Sequence, residues 1–127
     1  MSPGAMQALA VAVGAMLGAL LRWQAGARLG QVAGWPVGTL AVNLGGGLLI
    51  GVALAWFKLH PDQTLLRLLA VTGFLGGLTT FSAFSGESLN FLLSGRPLAA
   101  LLHTSAHVLG ALAMAALGHA LGRAWFG

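Results

Sequence analysis

The residues best placed to do chemistry lie in one stretch, Thr72 to Glu87, reading TGFLGGLTTFSAFSGE. It holds four glycines, five hydroxyl side chains and one carboxylate. The run around it is long enough to cross a bilayer, where a lipid-facing helix would be Leu, Val and Ala. Polar groups and irregular backbone at membrane depth persist only when buried in protein or lining a watery path. The stretch therefore reads as a pore or binding site that the rest of the chain supports. Gly73, Gly76 and Gly77 weaken a helix, and Thr79 and Thr80 can bond back to backbone carbonyls. A break there would free carbonyl oxygens, a natural seat for a hard cation. A continuous, merely Gly-rich helix is the plainer reading.

Phe81 and Phe84 are three residues apart and share a helix face, with Phe74 and Phe91 roughly in line. Such a stripe is often plain packing. The alternative use is electrostatic, because an aromatic ring is positive at its edge and can face a small anion. Thr79, Thr80, Ser82 and Ser85 interleave with these rings and could solvate the same anion. Asn43 is the one strongly polar residue in the core of the second apolar run, with Thr39 a turn before it. Its amide can bridge helices or face a pore. Glu87 is the one carboxylate within an apolar run, so it is a functional candidate by default. It could pair with Arg22, bond a hydroxyl or carry a proton. His103 and His107 stand one turn apart. They could bind a transition metal, but no suitable third ligand is adjacent in the sequence, so a place at a mouth or interface is expected.

The elements that must position these residues are apolar helices. The chain has 127 residues, 57% hydrophobic and 6% charged, with a mean hydropathy of +0.88. Soluble domains carry about 25% charged residues. The pattern predicts an all-α integral membrane protein, a single domain over 1–127 with four spans, at about 4–29, 37–57, 65–93 and 98–121. Each exceeds the roughly 20 residues that cross the hydrocarbon layer. Trp23, Trp35, Trp56 and Trp125 fall near the span ends, where indole rings favour the interface. Met6 to Leu21 has no basic residue before it and Arg22 after it, so it reads as a first helix rather than a secretory signal. The net charge of +4 comes from scattered basic residues, which argues for helix-end anchors and against a nucleic-acid partner. There is no cysteine, which excludes disulfides and thiolate metal sites. No nucleophile–base pair or catalytic ligand set points to an enzyme.

With four spans, Lys58, Arg67 and Arg123 share one side, and Arg22, Arg28 and Arg96 the other. Basic residues normally mark the cytoplasmic side. This tie gives no directional preference and points to insertion both ways, as an antiparallel homodimer. Glycines four apart at Gly14/Gly18, Gly26/Gly30, Gly47/Gly51, Gly73/Gly77 and Gly118/Gly122 predict closely packed helices.

Three blocks give the chain a resemblance over nearly its whole length. They are GALLRW at 18–23, GTLAVNLG at 38–45 and TGFLGGLTTFSAFS at 72–85. The chain resembles the Fluc (CrcB) fluoride channels. The resemblance implies an antiparallel, dual-topology homodimer with two pores and passive fluoride export across the inner (plasma) membrane. It implies a central sodium ion held by backbone carbonyls of Gly76 and Thr79 at the broken third helices. It places Phe81, Phe84, Asn43, Thr80 and Ser82 along the fluoride path, with Arg22 near a mouth and Glu87 near the polar track. In one respect the chain departs from the family, which often carries hydroxyls on the fourth helix where Ala111 and Ala115 stand here. That leaves open a heterodimer whose partner supplies those groups. A rival reading is a small multidrug exporter. Such proteins use a carboxylate in the first span, and the first span here has no acid.

Overall fold

The computed structural model describes residues 1–127. Four helical spans cross the molecule: Pro3–Leu29, Val37–Leu59, Thr64–Leu93 and Pro97–Phe126. All four are long and apolar enough to cross a membrane. The chain is thus an all-α, multi-pass membrane protein. The first is helix α1 and the second α2. Ser2 caps α1 by accepting the Ala5 amide at 3.2 Å, which satisfies a donor the helix cannot use internally.

The first link is more ordered than a plain connection. Gln31–Val32 (β1) and Trp35–Pro36 (β2) form a two-residue antiparallel ladder. Ala33 and Gly34 turn it, both with positive φ, 52° and 82°. Gly34 suits that geometry at no steric cost, whereas Ala33 does not signal it. This turn brings Trp35 against Phe91 at 5.1 Å between ring centroids.

The third span is broken, as the sequence predicts. It starts as α3 (Thr64–Arg67), continues as a π-helical segment (Leu68–Leu75) and ends its first half as α4 (Gly76–Leu78). Helix α5 (Phe81–Leu93) forms the second half. Thr79 and Thr80 between them are extended, with φ/ψ of −90°/155° and −148°/118°. The fourth span is α6 (Pro97–Phe126). The break falls at the two threonines, not at the glycines. β-Branched residues accept extended backbone readily. The π turns have no signature in the sequence; such wide turns recur near functional sites.

The glycines instead set helix spacing. Gly14 and Gly18 of α1 lie against the first half of the third span, where a Cβ on Gly18 would come within 2.7 Å of the Leu78 amide. From the other side, a Cβ on Gly73 would lie 2.7 Å from the Val11 carbonyl. The α2–α6 seam repeats the device: a Cβ on Gly47 would stand 2.7 Å from the Ala111 carbonyl, and one on Gly51 2.6 Å from the His119 amide. Gly26/Gly30 is the pair that departs from the expectation. Gly26 has open space on its own Cβ side, although it lets Gly38 approach, and Gly30 ends α1 with a φ of 53°. In lipid, close backbone contact replaces the hydrophobic drive that packs soluble helices.

Gly73→Val should therefore force α1 off the third span. Overpacking costs roughly 1–3 kcal/mol where neighbours can yield, and here the neighbour is backbone. The expected outcome is loss of the monodisperse peak on size-exclusion chromatography in detergent. A variant that elutes and melts like the parent would show that the seam is not close-packed.

Candidate functional site

The site is built around the break. Thr79 bonds its hydroxyl to the Leu75 carbonyl at 2.8 Å, closing the first half. Thr80 caps the second half by accepting the Ala83 amide on Oγ1 at 3.1 Å. The extended pair leaves the Thr80 peptide groups without helical partners, and Asn43 of α2 supplies both. The Thr80 amide donates to Asn43 Oδ1 at 2.8 Å, and Asn43 Nδ2 donates to the Thr80 carbonyl at 2.9 Å. The second N–H of Asn43 reaches His107 Nδ1 at 2.9 Å. Asn43 is thus the helix bridge that the sequence allowed, and it also lines a cavity.

That cavity is about 520 Å³ and opens on one face of the bundle. Its wall includes Asn43, Gly76, Thr79, Thr80, Phe81, Phe84 and His107. Phe81 and Phe84 meet edge to face, 4.6 Å apart at 77°. Phe84 is buried, whereas Phe81 is 74% exposed. Thr80 and Ser82 approach each other at 3.3 Å between hydroxyl oxygens, and Ser85 turns back to the Phe81 carbonyl at 2.8 Å. Phe74 and Phe91 do not continue the stripe. Phe74 packs on the Val42, Leu75 and Leu78 cluster, and Phe91 packs with Ala99, Ala100 and Trp35. The break separates Phe74 from the others, whereas Phe91, two turns after Phe84 on the same helix, lies beyond the cavity against α6 and Trp35.

The donor set at the break fits a hard cation. In an unbroken helix the Thr80 amide would close on the Gly76 carbonyl and the Ala83 amide on the Thr79 carbonyl. Both amides are instead taken by side chains, Asn43 Oδ1 and Thr80 Oγ1. The Gly76 and Thr79 carbonyls lose those partners, and both residues line the open cavity. Oxygen donors of this kind suit a hard cation.

A second polar cluster lies beside the first. Glu87 accepts from the Thr39 hydroxyl on Oε1 and meets His103 Nε2 at 3.1 Å on Oε2. His103 Nδ1 pairs with the Ser88 hydroxyl, which also pairs with Thr104, both at 2.8 Å. The two histidines are buried, contrary to the expected mouth or interface placement: hydroxyl and carboxylate partners engage both nitrogens of His103, whereas His107 is paired on Nδ1 alone, with the Asn43 amide. Glu87 is also the third ligand-type group that the sequence did not place beside them. The ligating atoms of Glu87, His103 and His107 lie within 4.8 Å of one another. Most of these groups are already engaged in hydrogen bonds, which favours a proton-bearing network over a metal centre. Glu87 thus takes the hydroxyl partner that the sequence left open, but its identity as Thr39, and the roles of Ser88 and Thr104, escaped sequence reasoning, since only the crossing of α2, α5 and α6 joins them.

Arg22 does not pair with Glu87. Its Nε donates to the Gly77 carbonyl at 3.0 Å, so it covers the helix end just before the break. It lines a separate recess with Trp23, Thr39, Thr80 and Ala83. Ala111 and Ala115 face the main cavity with His107 and Val108, so α6 offers no hydroxyl there.

The family described as "CrcB-like protein, Camphor Resistance (CrcB)" matches residues 9–119. The chain belongs to the CrcB family. Among curated relatives, the "Fluoride-specific ion channel FluC" of Bordetella petrii is 55% identical over 111 residues, covering 87% of this chain and 86% of that protein. The protein of the same name from Aromatoleum aromaticum is 50% identical over 121 residues, covering 94% and 92%. This CrcB chain therefore spans nearly the full length of its relatives.

Asn43→Ala would leave the Thr80 amide and carbonyl of this CrcB protein unpaired. Each such group costs about 1–3 kcal/mol when buried. A lowered midpoint of thermal unfolding in detergent is expected, and an unchanged midpoint would mean that water or lipid headgroups satisfy Thr80 equally well.

Proposed function

We propose that this protein is a fluoride-selective channel of the inner (plasma) membrane that lets fluoride leave the cell passively. The observation that carries the reading is the pairing of Asn43 with the Thr80 backbone, which fixes Phe81, Phe84 and two hydroxyls along one cavity in a chain of the CrcB family. Relatives at 50–55% identity bear the name of fluoride-specific channels.

The physics follows from the ion. Fluoride is small and strongly hydrated, so a path must replace its water. Ring edges of Phe81 and Phe84, the Asn43 amide and the Thr80 and Ser82 hydroxyls present positive ends to it. Arg22 adds positive potential at one end of the site, and Glu87 anchors the polar cluster at its flank. Larger chloride does not fit the same close donors. Fluoride enters acidified cells as the neutral acid, ionises inside and runs out through the channel without an energy source.

A second copy in antiparallel orientation completes the site. Support comes from the open cavity, the exposed Phe81 and the presence on its wall of Gly76 and Thr79, whose carbonyls lost their helical partners at the break. Polar backbone on an outer face of a membrane protein must be covered. A sodium ion held by Gly76 and Thr79 of both copies would supply the positive charge that balances these carbonyls.

The test is fluoride efflux from liposomes of purified protein, against a matched chloride control, with the particle mass taken by light scattering. Fast fluoride release, no chloride release and the mass of two chains are expected. No fluoride release from well-folded protein would sink the channel reading. A one-chain mass would remove the dimer, and equal flux after preparation without sodium would remove the ion.

Phe81→Ile keeps the bulk but loses the ring edge. Flux should fall by about tenfold or more, equivalent to roughly 1.4 kcal/mol of barrier, in protein of unchanged elution volume. Parental flux would take the ring edge out of the mechanism.

A further inference from the structure

Glu87, His103, Ser88 and Thr104 form one chain of hydrogen bonds, and none of the four lines the main cavity. Glu87 Oε2 meets His103 Nε2 at 3.1 Å, and Oε1 accepts from the Thr39 hydroxyl. His103 Nδ1 pairs with Ser88 Oγ at 2.8 Å, and Ser88 Oγ with Thr104 Oγ1 at 2.8 Å. The chain reaches the cavity wall only through His107, whose ring centroid is 4.6 Å from that of His103. It can act on an ion there by its charge, not by contact.

The chain has room for one more proton. A carboxylate only accepts, so the neutral imidazole donates its Nε2–H to Glu87 and presents a lone pair at Nδ1. Ser88 then donates to Nδ1 and accepts from Thr104. When Nδ1 gains a hydrogen, Ser88 turns to accept from the ring and donate to Thr104. The Thr104 hydrogen in turn can swing to a carbonyl of the preceding helical turn. Only hydroxyl hydrogens move, and no pairing between heavy atoms is lost. His107 has no such freedom. The Thr80 amide and carbonyl fix the Asn43 amide, whose remaining N–H points at His107 Nδ1. A proton there would set two donors against each other.

Few other charges face the pair. Glu87 comes from α5, and His107 is the neighbouring titratable group on α6. Arg96, just before α6, lies over the Phe91 ring at 5.0 Å, and that ring is 5.5 Å from His103. Arg22 of α1 shares a recess with Thr39 but donates to the Gly77 carbonyl. From α2 and β2 come Thr39 and Trp35, which do not titrate in this range. The Glu87 side chain is 21% exposed and that of His103 4%, so the carboxylate is the door through which a proton arrives.

We propose that Glu87 and His103 form a proton-binding site on the flank of the fluoride path, and that filling it speeds fluoride conduction. The proposal rests on the fluoride-channel reading above. Without the proton the pair carries one negative charge, which repels an anion in the cavity. With it the pair is neutral, whichever of the two groups holds the proton. In either arrangement His103 Nδ1 bears a hydrogen. Conduction therefore rises as pH falls.

The test is fluoride efflux from liposomes between about pH 8 and about pH 6, equal inside and out, within the range where an imidazole changes charge. Protein-free liposomes at each pH give the leak of the neutral acid, which is subtracted. Parent flux should rise roughly fivefold as pH falls, the order of one screened charge near the path. His103→Gln keeps an amide N–H for Glu87 but cannot take the proton, so its flux should not vary with pH. In parent protein labelled with 15N-histidine, His103 Nδ1 should gain its hydrogen over the pH range in which flux rises. A flat parent profile, a His103→Gln profile as steep as the parent's, or an Nδ1 that stays bare throughout would overturn the proposal and leave the channel standing. If His103→Gln does not fold, the labelled parent decides: Nδ1 protonation that tracks flux upholds the site, and its absence removes it. A parent that releases no fluoride at any pH would fail the channel reading and this proposal with it.

Discussion

The whole structure turns on one pair of hydrogen bonds, those joining the Asn43 amide to the amide and carbonyl of Thr80. A helix broken inside lipid exposes peptide groups that no water can reach, and each would cost several kcal/mol, on the order of an unmade bond in hydrocarbon. A primary amide is well suited to the problem, since it accepts and donates from neighbouring atoms as a peptide does. With the Thr80 peptides satisfied, the extended threonines become stable. The reoriented second half then carries Phe81 and Phe84 to the cavity, and the Gly76 and Thr79 carbonyls lose their helical partners.

Everything else holds Asn43 and Thr80 at that distance. The second span, the most buried of the four, must approach both the third and the fourth. Gly47 and Gly51 let α6 come to backbone contact, which brings His107 to the third corner of the Asn43 amide. Gly14, Gly18, Gly73 and Gly77 seat α1 on the first half of the third span. Arg22 then reaches the Gly77 carbonyl and closes the helix end that the break opened. A strongly polar centre is tolerated because each peptide group near it has an assigned partner or a place on the cavity wall.

Much of this is legible in the residues. The four spans emerge because long apolar runs have one use in a chain so poor in charge, and their ends are marked by Pro, Gly and basic residues. The break is legible as a zone, since no lipid-facing helix would carry GGLTTFS. Its position is not. Glycine weakens a helix and also allows close packing, and nothing local distinguishes the two uses; here α1 decides by occupying the space beside Gly73 and Gly77. The hairpin at 31–36 and the π turns were equally hidden, one because Ala33 is a poor marker of positive φ, the other because wide turns leave no pattern.

By itself the sequence determined the membrane class, the number of spans and the candidates Asn43, Phe81, Phe84, Thr80 and Glu87, because polar or aromatic groups at bilayer depth are costly or conspicuous wherever they pack. Only the tertiary structure decided their partners. Arg22 and Glu87, plausible mates as charges, are held apart by a carbonyl for one and a hydroxyl and imidazole for the other. His103 and His107, one turn apart and alike in type, end with opposite fates: one has both nitrogens engaged, the other has Nδ1 paired and Nε2 without a partner. Hydrogen bonding acts over about 3 Å, and contacts between residues sixty positions apart are set by helix crossing, which composition and spacing do not encode.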